Sequence, residues 1–177
     1  MKAKLLICGA TGFIGSNLLA YFLQSDEYEI HATYFKTAPN DGDIQYHHVD
    51  LRDLAAVQQL MVGMDIVIQA AGVTSGANDI VNRPYIHVTD NAVMNTHILQ
   101  AAFEAKIKHF IYFSCTVMYP SSAQPLKESD VDLNVDIHPR YFGAGWTKLY
   151  VEKLCQFYAS ISETRFTVLR HSNIYGP

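Results

Sequence analysis

The sequence predicts an α/β fold with a doubly wound parallel sheet, and three observations support that prediction. Short apolar runs alternate with helical patterns along nearly the whole chain, as in proteins that cover both faces of a parallel sheet with helices. Runs such as 4–8 and 65–69 are almost continuously apolar, which is typical of strands buried on both faces. A glycine-rich turn, 9–15, directly follows the first run. Such sheets bind ligands at the carboxyl ends of their strands, so we expect the site there.

Four strands and two helices are predicted in the first half of the chain. Apolar runs bounded by turn-forming residues predict strands at 4–10, 28–35, 44–49 and 65–72. Apolar residues at helical spacing predict helices at 13–24 and 53–61, and Asp53 is placed to cap the second. Residues 38–42 are turn formers and predict a loop.

Two long helices and two more strands are predicted in the second half. The helices are expected at 89–105 and 141–160, and the strands at 109–115 and 166–172. Residues 120–139 are polar and contain three prolines, which predicts a long loop. The 177 residues suffice for one domain with a well-filled core, so we expect 1–177 to form a single domain.

The composition excludes several classes of function. Hydrophobic residues make up 49% of the chain and charged residues 17%, as in an ordered globular protein. The net charge of -4 disfavours nucleic acid as a partner, because phosphate binding needs a basic surface. No run approaches the roughly 18 apolar residues of a membrane span, so we expect no membrane partner. Three well-separated cysteines predict neither disulfides nor a metal site, and they fit a reduced, cytoplasmic setting.

The glycine-rich turn predicts a dinucleotide-binding site. Gly9 permits a tight turn after the strand, Gly12 lets the backbone approach a diphosphate, and Gly15 lets the helix pack closely on the strand. The N-terminus of the following helix directs free N–H groups and the positive end of its dipole at the phosphates. The residues expected to bind the cofactor here are Gly9, Thr11, Gly12, Phe13, Ile14 and Gly15.

Residues after the second and third strands indicate which dinucleotide binds. An acidic residue after strand two holds the ribose hydroxyls of NAD, whereas a basic residue accommodates the 2′-phosphate of NADP. The segment 32–38 contains Lys36 and no acid, which slightly favours NADP(H) over NAD(H) unless Lys36 is an ordinary solvated lysine. Asp50 follows strand three, where its carboxylate either accepts from the adenine amino group or serves only as a turn residue.

Seven motifs occur in order along nearly the whole chain. They are GATGFIG (9–15), VDLRD (49–53), VIQAAG (67–72), DNAVMNTHILQAA (90–102), FSCTVMYP (113–120), WTKLYVEKL (146–154) and RHSNIYGP (170–177). Together they resemble the extended short-chain dehydrogenase/reductase family, the NAD(P)-dependent nucleotide-sugar epimerases and dehydratases. The third motif departs from the family pattern, because Gln69 stands where the family usually has histidine.

The resemblance implies a Rossmann-like NAD(P)-binding domain whose substrate is a nucleotide sugar. It adds five residues to the expected cofactor site: Leu51, Ala70, Ala71, Gly72 and Lys148. It also gives Asn91 a supporting role near the active site and the cofactor. Family members continue beyond the Tyr-Gly-Pro segment into a smaller substrate domain, so we expect that domain to be absent and the chain to be truncated at its C-terminal end. Uncovered apolar faces would then favour a homo-oligomer.

The resemblance also implies hydride transfer assisted by a tyrosine, a lysine and a serine or threonine. The lysine is Lys148, but Ala144 occupies the tyrosine position four residues earlier, and Cys115 occupies the serine/threonine position. The candidate catalytic residues are therefore Lys148, Tyr141, Thr116 and Cys115. Tyr141 lies two helical turns before Lys148 and is either a replacement for the tyrosine or an aromatic residue that caps the helix.

Two dinucleotide-binding functions remain open on the sequence, besides a degenerate structural subunit whose cleft is empty. The first is an NAD(P)-dependent epimerase, dehydratase or reductase of nucleotide sugars, represented by its cofactor-binding domain. The second is a non-catalytic dinucleotide-binding or redox-sensing module that has lost the catalytic tyrosine. Ala144 favours the second function, and the retained Lys148 favours the first.

Overall fold

The computed structural model describes residues 2–39, 44–73 and 82–176. Its strands are β1 Ala3–Cys8, β2 Tyr28–Tyr34, β3 Gln45–His48, β4 Ile66–Gln69, β5 His109–Cys115 and β6 Arg165–His171. Its α-helices of eight or more residues are α1 Phe13–Phe22, α2 Leu54–Met61, α3 Thr89–Glu104 and α4 Phe142–Ile161. Short 3-10 turns occur at Pro84–His87, Glu128–Asp130 and Pro139–Tyr141. Among the described helices, none combines the length and the apolar character that crossing a membrane requires.

The six strands form one parallel sheet in the order β3-β2-β1-β4-β5-β6. The order reverses between β1 and β4, which opens a crevice for ligands at the carboxyl ends of these strands. The doubly wound parallel sheet predicted from the sequence is therefore confirmed, and each predicted helix and strand is present.

Two strands end at least two residues earlier than predicted, and both ends lie at this crevice. β1 stops at Cys8 rather than at residue 10, because Gly9 turns the chain with a φ of 75°. β4 stops at Gln69 rather than at residue 72, because the side chain of Gln69 pairs with the backbone of Ala71. Gln69 Nε2 donates to the Ala71 oxygen at 3.2 Å, and the Ala71 nitrogen donates to Gln69 Oε1 at 3.3 Å.

The apolar core lies on both faces of the sheet. Leu6, Val67 and Phe110 on one face pack beneath α2, α3 and α4. Leu5 and Ile7 on the other face pack beneath α1, where Leu19 is buried. Burial of β1 on both faces explains why its apolar run does not alternate. The two layers pack against both faces of the sheet, whose strand ends form the crevice.

Candidate functional site

The glycine turn is held by three hydrogen bonds, two of them to Thr33 on the neighbouring strand β2. The Gly9 nitrogen donates to Thr33 Oγ1 at 2.8 Å, and the Ala10 nitrogen donates to the Thr33 oxygen at 2.9 Å. The Gly12 nitrogen donates to the Gly9 oxygen at 3.0 Å, which closes the turn ahead of α1. The turn is thus held in one shape before any ligand arrives.

The three glycines of the turn have different reasons for lacking a side chain. A Cβ on Gly9 would lie 2.6 Å from Cα of Ala71, and one on Gly15 would overlap the Gly9 carbonyl oxygen. A Cβ on Gly12 would meet only the Gly9 oxygen, at 3.3 Å. Gly9 and Gly15 are therefore required by packing within the fold, whereas Gly12 leaves backbone open to the crevice. This division supports the roles predicted from the spacing and fits a diphosphate over Gly12.

A cleft of about 740 Å³ runs over this turn, within the 300–1,000 Å³ typical of ligand pockets. Eleven of the residues predicted to bind the cofactor line the cleft: Gly9, Thr11, Gly12, Phe13, Ile14, Lys36, Asp50, Leu51, Ala70, Ala71 and Gly72. Gly15 and Asn91 lie behind its walls. The four residues predicted to be catalytic, Lys148, Tyr141, Thr116 and Cys115, also lie outside the lining.

One half of the cleft, at the ends of β2 and β3, contains a carboxylate pair joined by an arginine. Arg52 donates from Nε and Nη2 to Asp50 at 2.9 and 2.7 Å, and its Nη1 lies 3.0 Å from Asp90 Oδ2. These hydrogen bonds hold the pKa of Asp50 below its usual value. Asp50 therefore stays ionised beside the cleft, as its predicted role requires. Arg52, which sequence reasoning missed, also lies 5.8 Å from the centre of the Phe35 ring.

The wall formed by residues 70–73 is held by a chain of side-chain amides. Gln69 Nε2 donates to Asn95 Oδ1 at 3.0 Å, and Asn95 Nδ2 donates to the Asn91 oxygen at 2.8 Å. Asn91 in turn pairs with both backbone groups of Val73, at 2.9 and 3.0 Å. Asn91 therefore acts on the cleft through the backbone rather than by lining it. The side chain of Gln69 is the first member of this series of hydrogen bonds.

Lys148 lies on α4, half-buried beside the end of β5. Its Nζ donates to the Phe113 oxygen at 2.7 Å and lies 4.8 Å from the centre of the Tyr112 ring. Burial lowers the pKa of Lys148, while nearby Cys115 and Glu152 act in the opposite direction. An ammonium group has three donors, and the Phe113 oxygen uses one of them.

The residues at the end of β5 point in different directions, as strand alternation predicts. Ser114 is fully buried and donates from Oγ to Glu152 Oε1 at 2.5 Å. Cys115 lies on the opposite side, half-buried and close enough to Lys148 for their charges to interact. Burial raises the pKa of Cys115, so the residue is a neutral thiol rather than a ready nucleophile. Thr116 begins the turn that follows, and its oxygen accepts from the Tyr119 nitrogen.

Tyr141 lies in the 3-10 turn directly before α4 and packs against neighbouring apolar residues. The centre of its ring is 5.9 Å from that of the His138 ring. The Nζ of Lys148 contacts Phe113 and Tyr112 instead of Tyr141. Gly143 and Gly145 lie within α4, so they do not unwind the start of the helix towards Tyr141. Gly145 is needed for packing instead, since a Cβ there would lie 2.8 Å from Ile137.

A buried ion pair ties the last strand to α4, and sequence reasoning also missed it. Arg170 Nη2 donates to Glu152 Oε2 at 2.7 Å, and the two side chains are 17% and 5% exposed. Arg170 Nη1 donates to the hydroxyl of Tyr119 at 3.0 Å and to the Glu128 oxygen at 2.7 Å. With the Ser114 bond, this cluster joins β5, β6, α4 and the loop after β5.

The sheet order and the glycine-lined cleft at the strand ends define a Rossmann-type α/β protein. The chain belongs to the NAD dependent epimerase/dehydratase family, whose model matches residues 5–177.

Two curated relatives illustrate the family. The chain is 31% identical over 176 residues to GDP-L-fucose synthase from Azorhizobium caulinodans, covering 98% of this chain and 52% of the relative. It is 30% identical over 184 residues to GDP-mannose 3,5-epimerase 1 from Oryza sativa subsp. japonica, covering 99% and 48%. The chain thus spans about half the length of the curated relatives it matches.

Solved structures show the same fold at lower identity. MoeE5 in complex with UDP-glucose and NAD superposes with a TM-score of 0.84 at 22% identity, over 99% of this chain and 56% of that one. UDP-glucose 4-epimerase from Thermotoga maritima with UDP-glucose gives 0.83 at 20% identity, over 98% and 57%.

Proposed function

We propose that this chain supplies the cofactor-binding part of an NAD(P)-dependent enzyme that acts on a nucleotide sugar by hydride transfer. The observation that carries the proposal is the open backbone of Gly12 in the cleft, between glycines that the fold itself requires. The family and the sugar-nucleotide relatives agree with it. Calorimetric titration with NAD and NADP, together with turnover assays with GDP- and UDP-sugars followed by the absorbance of the reduced nicotinamide, tests the proposal, and failure to bind either nucleotide would contradict it.

Residues of this chain would hold the cofactor and move protons, while bound NAD(P) supplies the hydride acceptor. Lys148 would donate one of its remaining hydrogens to the nicotinamide ribose, because only one is used by the Phe113 oxygen. Asn91 would keep the 70–73 wall in place through Val73. Cys115, Thr116 and Tyr141 stay candidates for proton handling at this end of the sheet.

A non-catalytic dinucleotide-binding module is the second candidate, and Ala144 is the observation that favours it. Ala144 lies one helical turn before Lys148 within a regular helix, so the two positions share a face of α4. No proton can be exchanged by a methyl group. A binding module would therefore retain cofactor affinity without sugar-dependent turnover.

Ala144→Tyr separates these two functions. The new phenol would stand one turn from Lys148, whose ammonium group lowers the energy of the phenolate. For an enzyme we expect turnover with the sugar nucleotide to rise by roughly 10²–10⁴-fold, the usual contribution of a positioned acid–base group. Ala144→Phe is the matched control because it adds the ring without the hydroxyl. Equal turnover in both variants and the parent would support the binding module.

We propose further that NADP(H) binds better than NAD(H). Lys36 lines the cleft after β2 and makes no ion pair with any residue the structure describes. Arg52, the other cation of this half, is already held by Asp50 and Asp90. The charge of Lys36 is therefore available to the 2′-phosphate.

Lys36→Glu is expected to reverse this preference. Affinity for NADP should fall about tenfold or more, because a phosphate then faces a carboxylate, whereas affinity for NAD should change by less than about threefold. Calorimetric titration of both nucleotides measures the two changes. Lys127→Glu, an exposed charge reversal outside the cleft, is the control. Equal losses of affinity for NAD and NADP would show that Lys36 does not interact with the 2′-phosphate of NADP.

We also propose that copies of this chain associate. α4 carries four large apolar side chains that are about half exposed: Phe142, Tyr150, Phe157 and Ile161. Apolar side chains aligned on one helix are typical of an interface. Light scattering on the protein as it elutes from a size-exclusion column should give a mass above 19.9 kDa, the mass of one chain. The variant Phe157→Lys should have a lower mass than the parent in the same measurement. A monomeric parent at about 100 µM would contradict the proposal.

A further inference from the structure

The helix α3 is hydrogen-bonded to both walls of the cleft. One wall is the loop after β3, where His97 Nδ1 donates to the Arg52 oxygen at 2.8 Å and Asp90 pairs with the Arg52 guanidinium at 3.0 Å. The other wall is formed by residues 70–73, where Asn91 pairs with both backbone groups of Val73. Two segments that are distant in the sheet order are thus attached to the same helix.

The contacts to the two walls come from separate faces of α3. Asp90 and His97 are two helical turns apart and share one face, and Asn91 and Asn95 are one turn apart and share another. These faces are roughly 130° apart around the helix axis, at 3.6 residues per turn. Met94 lies between them, and its buried side chain lines the cleft. The position of α3 therefore determines how far apart the two walls lie.

The side chain of Gln69 joins the 70–73 wall to α3 from below. Its Nε2 donates to the Ala71 oxygen and to Asn95 Oδ1, and its Oε1 accepts from the Ala71 nitrogen. A carboxamide supplies the two donors and the acceptor that this arrangement needs. Gln69 and Asn95 are only 1% and 3% exposed, so water does not replace these bonds. Ala71 lines the cleft, whereas Gln69, Asn95 and His97 lie behind it.

We propose that α3 sets the width of the cleft, and that Gln69, Asn95 and His97 are positioning residues for a dinucleotide that they do not touch. This inference rests on the proposed binding of NAD(P). A ligand that binds between walls already in place does not have to order them, so loosening either wall lowers the affinity.

The two walls act on different parts of the ligand. The diphosphate crosses the glycine turn after β1, and β4 lies on the opposite side of β1 from β2 and β3. The loop after β3 therefore faces the adenosine half of the dinucleotide, and the 70–73 wall faces the part beyond the diphosphate. Loosening the 70–73 wall should weaken the whole dinucleotide and leave its adenosine half almost unaffected.

Calorimetric titration with NADP and with its adenosine half, adenosine 2′,5′-bisphosphate, tests the proposal. Gln69→Met keeps the length of the side chain and removes its hydrogen bonds, so it should lower the affinity for NADP about tenfold and that for the half by less than about threefold. His97→Phe keeps a ring and removes the donor, so it should lower both affinities by a similar factor, about fivefold. Gln100→Ala is the matched control, because its amide bonds Glu104 on the same helix. It should bind both ligands as the parent does.

The double variant Gln69→Met with Asn95→Leu separates positioning from stability. Gln69→Met alone leaves the Asn95 amide buried without its partner, which lowers the melting temperature, whereas the double variant replaces both amides by apolar groups. The melting temperature, followed by circular dichroism, should therefore recover part of its loss in the double variant. The affinity for NADP should stay about tenfold below that of the parent, because Ala71 is still not attached to α3.

Several results would overturn the proposal. Parental affinity for NADP in Gln69→Met or in His97→Phe would show that the walls do not depend on these contacts. Equal losses for NADP and its adenosine half in Gln69→Met would indicate a general loosening of the fold. A double variant that regains affinity together with its melting temperature would show that the amides contribute to stability alone. Failure of the parent to bind NADP would remove the proposed function as well, whereas the other results would leave it intact.

Discussion

Gly12→Asp is expected to abolish dinucleotide binding while leaving the fold as stable as before. Gly12 has φ -83° and ψ 169°, which any residue adopts, and it occupies the N-cap position of α1. Aspartate is a favoured N-cap residue, but its Cβ would lie 3.3 Å from the Gly9 oxygen, so the free energy of unfolding should change by no more than about 1 kcal/mol in either direction. The new carboxylate would lie where the diphosphate approaches, and like charges in contact cost several kcal/mol. Affinity should fall by about 100-fold or more in calorimetric titration.

The control for this variant places the same charge nearby but outside the cleft. Asn17→Asp adds a carboxylate one turn further along α1, on its exposed surface, and should bind the nucleotide as the parent does. Gly12→Asp with parental affinity would show that the glycine turn does not hold the diphosphate. A loss of affinity equal to that of Asn17→Asp would instead indicate a general effect of charge.

Glu152→Ala should cause the largest loss of stability. The variant leaves Arg170 buried without its carboxylate, and breaking such a pair costs about 3–5 kcal/mol. Ser114 and Tyr119 belong to the same cluster, so the loop after β5 should loosen too. The melting temperature should fall on the order of 10 °C, as followed by circular dichroism.

Two further variants show whether the pair itself is responsible. Glu163→Ala removes an exposed carboxylate after α4 and should change the free energy of unfolding by less than about 0.5 kcal/mol. The double replacement Glu152→Leu with Arg170→Met leaves no unpaired charge, so it should recover part of the loss. A Glu152→Ala protein within about 1 kcal/mol of the parent would mean that Arg170 finds water or another partner.

The sequence predicted the sheet and the cofactor turn well, because both depend on local patterns. Continuous apolar runs indicate strands buried on two faces. Glycines at 9, 12 and 15 indicate a tight turn, and the packing around Gly9 and Gly15 leaves no room for a Cβ. The lining residues after β1, β2, β3 and β4 follow directly, since parallel strands bring their carboxyl ends to one edge.

The rest of the site depends on contacts between residues distant in sequence, which no local pattern encodes. In the sequence Arg52 is an ordinary loop arginine, and only the fold shows that Asp90 lies beside it. Gln69 looks like a departure from the family pattern, yet its amide starts the chain through Asn95 to Asn91. Gly145 lies within a predicted helix, and only the fold shows that its missing side chain gives room to Ile137.

Calorimetric titration of the parent protein with NADP and NAD tests the central claim, that the cleft over the glycine turn binds a nicotinamide dinucleotide. We predict saturable binding at one site per chain with a dissociation constant below about 1 mM, tighter for NADP. No heat with either nucleotide at millimolar concentration, and no shift in melting temperature, would contradict it.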